Sequence, residues 1–327
     1  MKRRKFIKLL GGVAATWPLA ARAQSPAIPV IGVLDSRSPD AVQNRLRGFH
    51  EGLKEAGYVE GENLNILYRW ADDRIDRLSV LAADLVSRPV AAIITGGVPA
   101  SLAAKAATTT IPTIFIVGID PVQLGLAASL SRPGGNLTGI NVFNSELVAK
   151  RLEVLRDLLP QTTRVGVLVN PADAGSTDPQ LKDIDAAARA MGLQIQVHNA
   201  DTRAEIDAAF EAMGRDRPDA VFVGTTVFLN GRRVQLAQLS TFYRLPAIYA
   251  LRDFVEVGGL ISYGSNIIDS YRLAGRYAGR ILRGAKPAEL PIVKADKFEL
   301  VINAQTARML GLTVSLSLLG RADEVID

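Results

Sequence analysis

Short apolar runs alternate with amphipathic segments along most of the chain. The first apolar run covers 28–34, and the amphipathic segment after it covers 39–56. Pro39 suits the first turn of a helix there, because its missing N–H needs no partner, and Gly57 suits the position just after the helix ends. Apolar runs rich in β-branched residues are typical of strands that helices cover on both faces. The pattern therefore predicts alternating strands and helices, arranged as parallel sheets with right-handed crossovers.

The order of predicted elements occurs twice, in units of about 120 residues each. The predicted strands of the first unit cover 28–34, 63–70, 91–95, 112–117 and 138–143, and its predicted helices cover 39–56, 76–87, 99–107 and 124–130. The second unit has predicted strands at 165–169, 193–197, 219–224 and 245–249 and predicted helices at 178–191 and 205–215, followed by strands at 260–263 and 298–303 and helices at 269–283 and 304–310. The duplication predicts an α/β fold of two doubly wound parallel-sheet lobes.

The chain is expected to cross between the two lobes three times. Turn-forming or extended residues at 139–144, 264–266 and 287–295 mark the crossings, and together they would form a three-segment hinge. The expected first lobe comprises 27–141 and 266–290, and the expected second lobe comprises 142–265 and 291–327. We therefore expect a binding cleft between two lobes that rotate about this hinge.

Residues 1–23 have the three parts of an export signal. A basic start precedes an apolar run at 6–21 and the A-x-A cleavage site Ala21-Arg-Ala23. The apolar run is too short for a stable transmembrane helix. The segment Arg3-Arg4-Lys5-Phe6-Ile7-Lys8 resembles the twin-arginine export motif, and an ordinary secretory signal is the alternative. After cleavage the mature chain would start at Gln24 and be free in the periplasm.

The basic character of the whole sequence comes from this N-terminal segment. The formal net charge is +5, but six of the 38 basic residues and none of the 33 acidic ones lie in 1–23, which leaves 32 against 33. The remaining chain therefore has no electrostatic footprint for a nucleic-acid partner. The sequence also has no cysteine, which excludes disulfides, thiolate metal sites, a cysteine nucleophile and a lipidated N-terminal cysteine.

The usual catalytic motifs are absent from the sequence. There is no G-x-G-x-x-G after a strand, no G-x-S-x-G nucleophile elbow and no P-loop. The two histidines, His50 and His198, are predicted in different lobes, and no His, Asp or Glu cluster has metal-ligand spacing. We therefore expect a binding protein with no cofactor and no metal. A two-lobed, transferase-like enzyme is an alternative, but it would need a diphosphate-binding stretch, and the sequence shows none.

Candidate ligand-binding residues lie in loops that follow predicted strands, at the edge where open α/β sheets bind ligands. They are Asp35, Ser36, Ser38, Thr95, Gly96, Gly97, Asp120, Thr225, Thr226, Tyr249 and Tyr263. The N–H groups of Gly96 and Gly97 precede a predicted helix, and the hydroxyl of Thr95 is next to them. Because a helix N-terminus favours negative charge, this loop is expected to hold a carboxylate.

The acidic and aromatic candidates would contact the rest of the ligand. Asp35 and Asp120 are placed to accept a hydrogen bond from an amine or another donor. Tyr249 and Tyr263 would supply apolar area with a polar tip, as aromatic walls of ligand pockets do. Each loop also has a structural interpretation, since glycines make tight turns and Asp or Ser caps the next helix.

A series of motifs spread over essentially the whole chain resembles one family of proteins. The motifs are RRKFIKLLGG, WPLAARAQ, EAGYVEGENLNILYRWADDRIDRL, TTTIPTIF, SRPGGNLTG, AKRLEVLRDLLP, YRLPAIY, GGLISYG and KFELVIN. The family is that of the periplasmic substrate-binding proteins of ABC importers, related to the tryptophan- and tyrosine-binding components. The resemblance implies the type I periplasmic-binding fold, in which two lobes close on a small ligand without catalysis.

The resemblance also implies partners. They are a small-molecule ligand and an ABC permease in the inner membrane with its cytoplasmic ATPase, and we expect the protein itself to be a monomer. The family usually has a small hydroxyl residue where this chain has Asp35, which suggests a ligand amine or hydroxyl at that position. A ligand-sensing periplasmic receptor subunit is an alternative that the sequence does not separate from an importer component.

Overall fold

The computed structural model describes residues 28–142 and 147–327, and these residues form two α/β lobes. The strands are β1 Val30–Asp35, β2 Asn65–Trp70, β3 Ala92–Gly96, β4 Thr113–Val117, β5 Leu137–Asn141, β6 Arg164–Val169, β7 Gln194–Asn199, β8 Ala220–Val223, β9 Ala247–Tyr249, β10 Ile261–Ser265, β11 Val293–Lys294, β12 Phe298–Asn303 and β13 Glu324–Ile326. The helices are α1 Gln43–Glu55, α2 Leu78–Val86, α3 Val98–Ala107, α4 Val148–Leu158, α5 Ala174–Met191, α6 Arg203–Asp216, α7 Val227–Gly231, α8 Arg233–Phe242, α9 Arg252–Val255, α10 Ile267–Leu282, α11 Ala304–Met309 and α12 Leu316–Leu319. The predicted export signal at 1–23 and residues 143–146 of the first predicted crossover lie outside the described residues.

Two sheets repeat one strand order, as the duplicated sequence pattern predicts. The first sheet has the order β11-β5-β4-β3-β1-β2, and the second has the order β13-β12-β10-β9-β8-β6-β7. Strands β1 to β5 therefore correspond to β6 to β10. Among the described pairings, only that between β10 and β12 is antiparallel. The predicted α/β fold of two lobes is confirmed.

The central strands are buried along their whole length, as their apolar composition predicts. Every residue of β3, β4, β5 and β8 is buried. The edge strand β7, in contrast, has no buried residue. Since parallel strands end at a common sheet edge, the loops after the central strands of the two sheets are the ones that face each other across the lobe boundary.

Helix α10 follows a strand of the second sheet but packs in the first lobe, against α1. Glycines allow the two helices to approach closely. A Cβ on Gly52 would collide with the carbonyl oxygen of Arg272, and a Cβ on Gly275 would collide with that of Phe49. The chain therefore returns to the first lobe after Ser265, as the predicted second crossing requires.

Two details differ from the sequence-based expectations. Strand β11 pairs with β5, with Val293 opposite Ile140, so this segment lies in the first sheet and the expected boundary between 290 and 291 is wrong there. The predicted helix at 124–130 is a series of turns. Its apolar residues suit a helix, but Gly125 has a φ of 67°, a left-handed conformation that an α-helix cannot contain.

None of the helices formed by the described residues is both long enough and apolar enough to cross a bilayer.

Candidate functional site

Loops from both lobes enclose a cavity of about 60 Å³, called here the central cavity. It lies at the carboxyl ends of the strands, where ligands bind in open α/β sheets. The lining residues are Arg37, Arg45, Gly97, Val98, Ile116, Gly118, Ile119, Val142, Ser176, Gln180, Thr225, Thr226, Val227, Asn230, Leu251, Ile267 and Tyr271. Arginines, hydroxyls and amides supply its polar groups, and aliphatic side chains supply the remainder.

A buried arginine is fixed at the first-lobe side of the central cavity. The Nε and Nη2 groups of Arg37 donate to the two carboxylate oxygens of Asp35 at 2.8 and 2.6 Å, and Nη2 also donates to the Tyr271 hydroxyl at 2.8 Å. Burial alone would lower the pKa of Arg37, but the carboxylate and the tyrosine raise it overall. The guanidinium therefore stays charged although it is only 3% exposed.

Gly96 makes room for this ion pair. The register of β1 and β3 places Asp35 opposite Gly96. A Cβ on Gly96 would collide with the Asp35 carboxylate and would lie 2.7 Å from the Tyr271 hydroxyl oxygen. Any larger residue at this position would displace Arg37, so the role of Gly96 is to admit the ion pair.

The second-lobe wall of the central cavity is a hydrogen-bonded set of polar groups. Thr225 N–H donates to Gln180 Oε1 at 2.7 Å, and Gln180 Nε2 donates to the Thr225 carbonyl at 2.8 Å. Arg151 Nη1 donates to Thr225 Oγ1 at 3.1 Å, and its guanidinium lies over the Phe222 ring, 5.2 Å from the centroid. Burial lowers the pKa of Arg151 to about 9. Thr225 is thus held from two sides.

Two ion pairs join the lobes across the cleft. Arg45 Nη2 lies 2.9 Å from Asp253 Oδ2, and Arg232 Nη2 lies 3.0 Å from Asp73 Oδ2. All four side chains are less than one-fifth exposed. Because each pair needs the lobes in contact, the structure is a closed arrangement.

The two-lobed shape and the enclosed cleft agree with a family-level match. A family model described as "ABC transporter substrate binding protein" matches residues 30–326. The chain belongs to this family. It is therefore a substrate-binding protein of the ABC transporter type, whose function is to capture a small solute between its lobes.

Several proteins with known names or structures are similar to this substrate-binding protein. A "Tyrosine-binding protein" of Clostridioides difficile (strain R20291) is 25% identical over 282 residues, which are 86% of this chain and 81% of the relative. A structure from Streptococcus pneumoniae, titled as an ABC domain in complex with L-Trp, has a TM-score of 0.84 and 26% identity, and covers 91% of this chain and 99% of its own. A conserved domain protein from Vibrio cholerae O1 biovar El Tor has a TM-score of 0.85 and 25% identity, with the same coverage.

Some of the predicted ligand-binding residues lie together at the central cavity. Gly97, Thr225 and Thr226 line it. Asp35 and Gly96 lie directly behind Arg37, although the Asp35 carboxylate is engaged by that arginine and does not face the cavity as an open acceptor. The sequence-based expectation that Asp35 meets a ligand amine therefore has no support from this geometry.

Thr95 and Asp120 have structural partners outside the central cavity. Thr95 is fully buried, and its hydroxyl lies 2.8 Å from Ser101 Oγ at the start of α3. Asp120 Oδ1 accepts a hydrogen bond from Val122 N–H at 2.8 Å, which closes the turn after β4. The Asp120 contact matches the structural interpretation of its loop as a turn, and the Thr95 contact ties the end of β3 to α3.

The two predicted aromatic walls also lie elsewhere. Tyr249 is fully buried in the lobe core, where it stacks on Phe254 at 4.4 Å and its hydroxyl lies 3.0 Å from Ser240 Oγ. Tyr263 packs against the second-lobe core. Ser38 precedes the short 3-10 helix Pro39–Val42, but its side chain does not cap this helix. The remaining candidate, Ser36, lines a second interlobe cavity.

Sequence reasoning missed the residues that give the central cavity its charge and its aromatic group. Arg37 belongs to a predicted loop, and its position two residues after Asp35 is a signal for a local ion pair. Tyr271 lies 234 positions away from Arg37 on a helix that the sequence associates with a different strand, so no local pattern indicates it. Gln180 lies inside α5, where a buried amide has no distinctive sequence context.

Proposed function

We propose that this protein is the periplasmic solute-binding component of an ABC import system and captures a small, carboxylate-bearing molecule, such as an amino acid or an aromatic acid. The closed lobes would then present this molecule to a permease in the inner membrane, which works with a cytoplasmic ATPase. The membership in the substrate-binding family supports the transport role. The observation that carries the ligand class is the buried, fully charged Arg37 at the wall of the central cavity.

Arg37 is suited to bind a carboxylate. Asp35 and Tyr271 engage its Nε and Nη2 atoms, so Nη1 is the nitrogen through which it can donate to an occupant of the cavity. Charge-assisted hydrogen bonds from a guanidinium to a carboxylate are strong and directional. Thr225 and Thr226 of the opposite wall supply further polar groups. The relatives named for tyrosine and solved with L-Trp both bind carboxylate-bearing molecules.

The composition of the central cavity favours binding over catalysis. Among the described residues that line it there is no histidine, cysteine, lysine, aspartate or glutamate. Arginines, amides and hydroxyls are suited to holding a small ligand, and the proposal is for binding and includes no catalytic step.

The proposal places the mature protein in the periplasm. Its support is the export signal expected at 1–23, with the twin-arginine motif at its start and the cleavage site after Ala23. N-terminal sequencing of the protein from a periplasmic fraction should give a chain that starts at Gln24. A cytoplasmic protein that retains Met1 would contradict the location.

Calorimetry on a designed variant pair tests the carboxylate site. Replacing both members of the buried ion pair, Asp35→Asn with Arg37→Gln, removes the Arg37 guanidinium from the cavity wall without leaving an unpaired carboxylate. We expect at least about a 10-fold loss of affinity for any carboxylate that stabilises the wild-type protein in a thermal-shift screen. The control removes an exposed ion pair on α6, Glu211→Gln with Arg215→Gln, and should bind normally. Equal affinity in both variants would refute the carboxylate assignment.

A further inference from the structure

A second cavity of about 370 Å³ lies between the lobes beside the central one. We call it the acidic cavity and define it by seven of its lining residues, Ser36, Asp73, Arg74 and Asp76 of the first lobe and Asn170, Asp173 and Asp201 of the second. Val227 lines both cavities. The two cavities are therefore adjoining parts of one interlobe cleft.

Three of the four carboxylates that line the acidic cavity are exposed or paired with a cation. Asp76 and Asp201 are exposed to solvent, and Arg74 Nη2 lies 2.9 Å from Asp76 Oδ2. Asp73 is paired across the cleft with Arg232. Each of these three carboxylates can therefore stay charged at little cost, because either water or a guanidinium stabilises the charge.

The fourth carboxylate, that of Asp173, is buried without a cation. The residue is 6% exposed, and the structure gives it no salt bridge among the described residues. Its Oδ1 accepts from Ser176 N–H at 3.2 Å and caps α5, but its Oδ2 has no hydrogen-bond partner among the described residues. Burial raises the pKa of Asp173, and the bond from Ser176 offsets only part of this effect. The site therefore favours the protonated acid.

The burial of Asp173 depends on closure of the lobes. Helix α5 begins next to Asp173, and a Cβ on Gly175 in its first turn would lie 3.5 Å from Val98 Cγ1 of the first lobe. Ser36, also of the first lobe, is 1% exposed and lines the same cavity. When the lobes separate, the first lobe no longer covers Asp173 and water regains access to it. The carboxylate should therefore bind a proton more tightly in the closed form than in the open form.

We propose that closure of the lobes takes up a proton from solvent at Asp173, so that the protein holds its solute more tightly as the pH falls. The proton would turn Oδ2 into a donor, and Ser36 Oγ is a buried oxygen of the same cavity that has no other partner among the described residues. The proposal rests on the closure that the proposed function requires and not on the chemical class of the solute.

The sign of the pH dependence follows from linkage. A form that binds protons more tightly is favoured as the pH falls. The gain in affinity is complete below the pKa that Asp173 has in the open form, and it is lost as the pH rises through the higher pKa of the closed form.

Asp253 is a second buried carboxylate at the lobe boundary, but its surroundings differ. Burial raises its pKa too, yet Arg45 Nη2 of the first lobe lies 2.9 Å from its Oδ2. Three further arginines lower its pKa: Arg233, Arg37 and Arg252. Because these cations favour the charged form, we assign the proton to Asp173.

A disulfide across the cleft gives a test that needs no solute. A Cβ on Gly97 would lie 4.0 Å from Val227 Cβ, which suits a disulfide, and the sequence has no cysteine of its own. Gly97→Cys with Val227→Cys therefore allows the lobes to be locked by oxidation and released by reduction. In protein labelled with carbon-13 at the aspartate carboxyl groups, the Asp173 signal is identified by its loss in Asp173→Asn, and its titration is followed by NMR in both forms.

We expect Asp173 to titrate at a higher pH in the oxidised protein than in the reduced protein, because only the lock keeps this carboxyl group buried at all times. Titration at the same pH in both forms, or at a lower pH in the oxidised form, would overturn the proposal. Failure of the two cysteines to form a disulfide would also overturn it, since the lobes would not close as the proposal requires.

Calorimetry measures the same proton in the protein without cysteines. The probes are L-tryptophan and L-tyrosine, titrated at about pH 5 and about pH 7 in buffers of different ionisation enthalpy, which counts the protons taken up on binding. The proteins are the wild type, Asp173→Asn, Asp253→Asn, and Asp120→Asn as the control, since Asp120 lines neither cavity. Asparagine caps a helix as well as aspartate, so α5 stays intact in Asp173→Asn.

The wild type and Asp120→Asn should take up a fraction of a proton, at most about one, and bind at least about threefold more tightly at the lower pH. Asp173→Asn should take up no proton, and its affinity should be the same at both pH values. Uptake that persists in Asp173→Asn, or that is lost in Asp253→Asn instead, would overturn the assignment to Asp173.

The same data separate this proposal from the proposed function. If the lock raises the pH at which Asp173 titrates while the Asp35→Asn, Arg37→Gln variant binds carboxylates normally, proton uptake stands and the carboxylate site fails. If carboxylate affinity needs Arg37 while Asp173 titrates equally in both forms, the carboxylate site stands and proton uptake fails.

Discussion

Gly97 is the position at which one added methyl group should oppose closure of the lobes. It belongs to the first lobe, at the N-terminus of α3, and has a φ of 91°. A Cβ built there lies 2.5 Å from Val227 Cγ2, an atom of the second lobe. The change Gly97→Ala therefore introduces a collision between the lobes, and this collision exists only when they are closed.

Two costs of Gly97→Ala act on different equilibria. With φ 91° and ψ 167°, the backbone of Gly97 lies in a region that is essentially confined to glycine, which costs an alanine about 1–3 kcal/mol, but this strain lies within one lobe and affects the open and the closed forms alike. The collision with Val227 is an overpacking cost of about 1–3 kcal/mol, and it destabilises only the closed form. A ligand that binds the closed form must overcome the second cost, so its affinity should fall by about 5- to 150-fold.

Calorimetry and tryptophan fluorescence can measure this effect. Trp70 is the single tryptophan of residues 24–327, and it ends β2 beside the loop in which Asp73 contacts Arg232 across the cleft, so it can report closure. The control variant adds Val227→Ala to Gly97→Ala, which removes Cγ2 of Val227, the methyl group with which the new Cβ collides. Affinity should return toward the Val227→Ala value, while the loss of Tm from backbone strain should remain. Unchanged affinity in Gly97→Ala, or no recovery in the double variant, would refute the reasoning.

Three further outcomes follow from the charges of the molecule. Burial raises the folded-state pKa of Asp173, so the stabilising contribution of this group is present at low pH and is lost as the pH rises through that pKa. The Asp173→Asn variant should therefore have a higher Tm than the wild type at pH 7 but not near pH 4. An equal difference in Tm between the two proteins at both pH values would contradict this. Replacing the interlobe pair by Asp73→Asn with Arg232→Gln should weaken ligand binding about 2- to 10-fold in calorimetry, whereas tighter binding would show that the pair does not favour closure. Replacing Arg3 and Arg4 by lysine should block export in a fractionation assay, and unimpaired export would favour the ordinary secretory route.

The fold was predictable because its local signals agree with its tertiary structure. Gly57 and Gly192 both have positive φ where the sequence predicts a helix to end, and Pro39 opens the first 3-10 turn. The exceptions are segments whose conformation depends on distant partners. Strand β11 has two residues, too few for any periodicity, and it exists because it pairs with β5, which lies more than 150 positions earlier.

The candidate site was predictable at the level of loops and less so at the level of atoms. The loops of Gly97 and Thr225 do meet at the central cavity, because strand order determines which loops meet. The partners of Asp35 are a different matter. A carboxylate at a strand end can face a ligand or an arginine, and the choice depends on Tyr271 and Gly96, which reach it from other elements.

The three crossings between the lobes are hydrogen-bonded to one another, and this explains why closure can act as one motion. The bonds run from Ser265 Oγ to the Val142 carbonyl, from Ala295 N–H to the Asn141 carbonyl at 2.8 Å, and from Asn266 N–H to the Lys297 carbonyl at 2.9 Å. Three segments tied together in this way resist independent bending, so a rotation must change all of them at once. A ligand that contacts both walls of the cleft then biases a single open–closed equilibrium, by the difference between its affinities for the two forms.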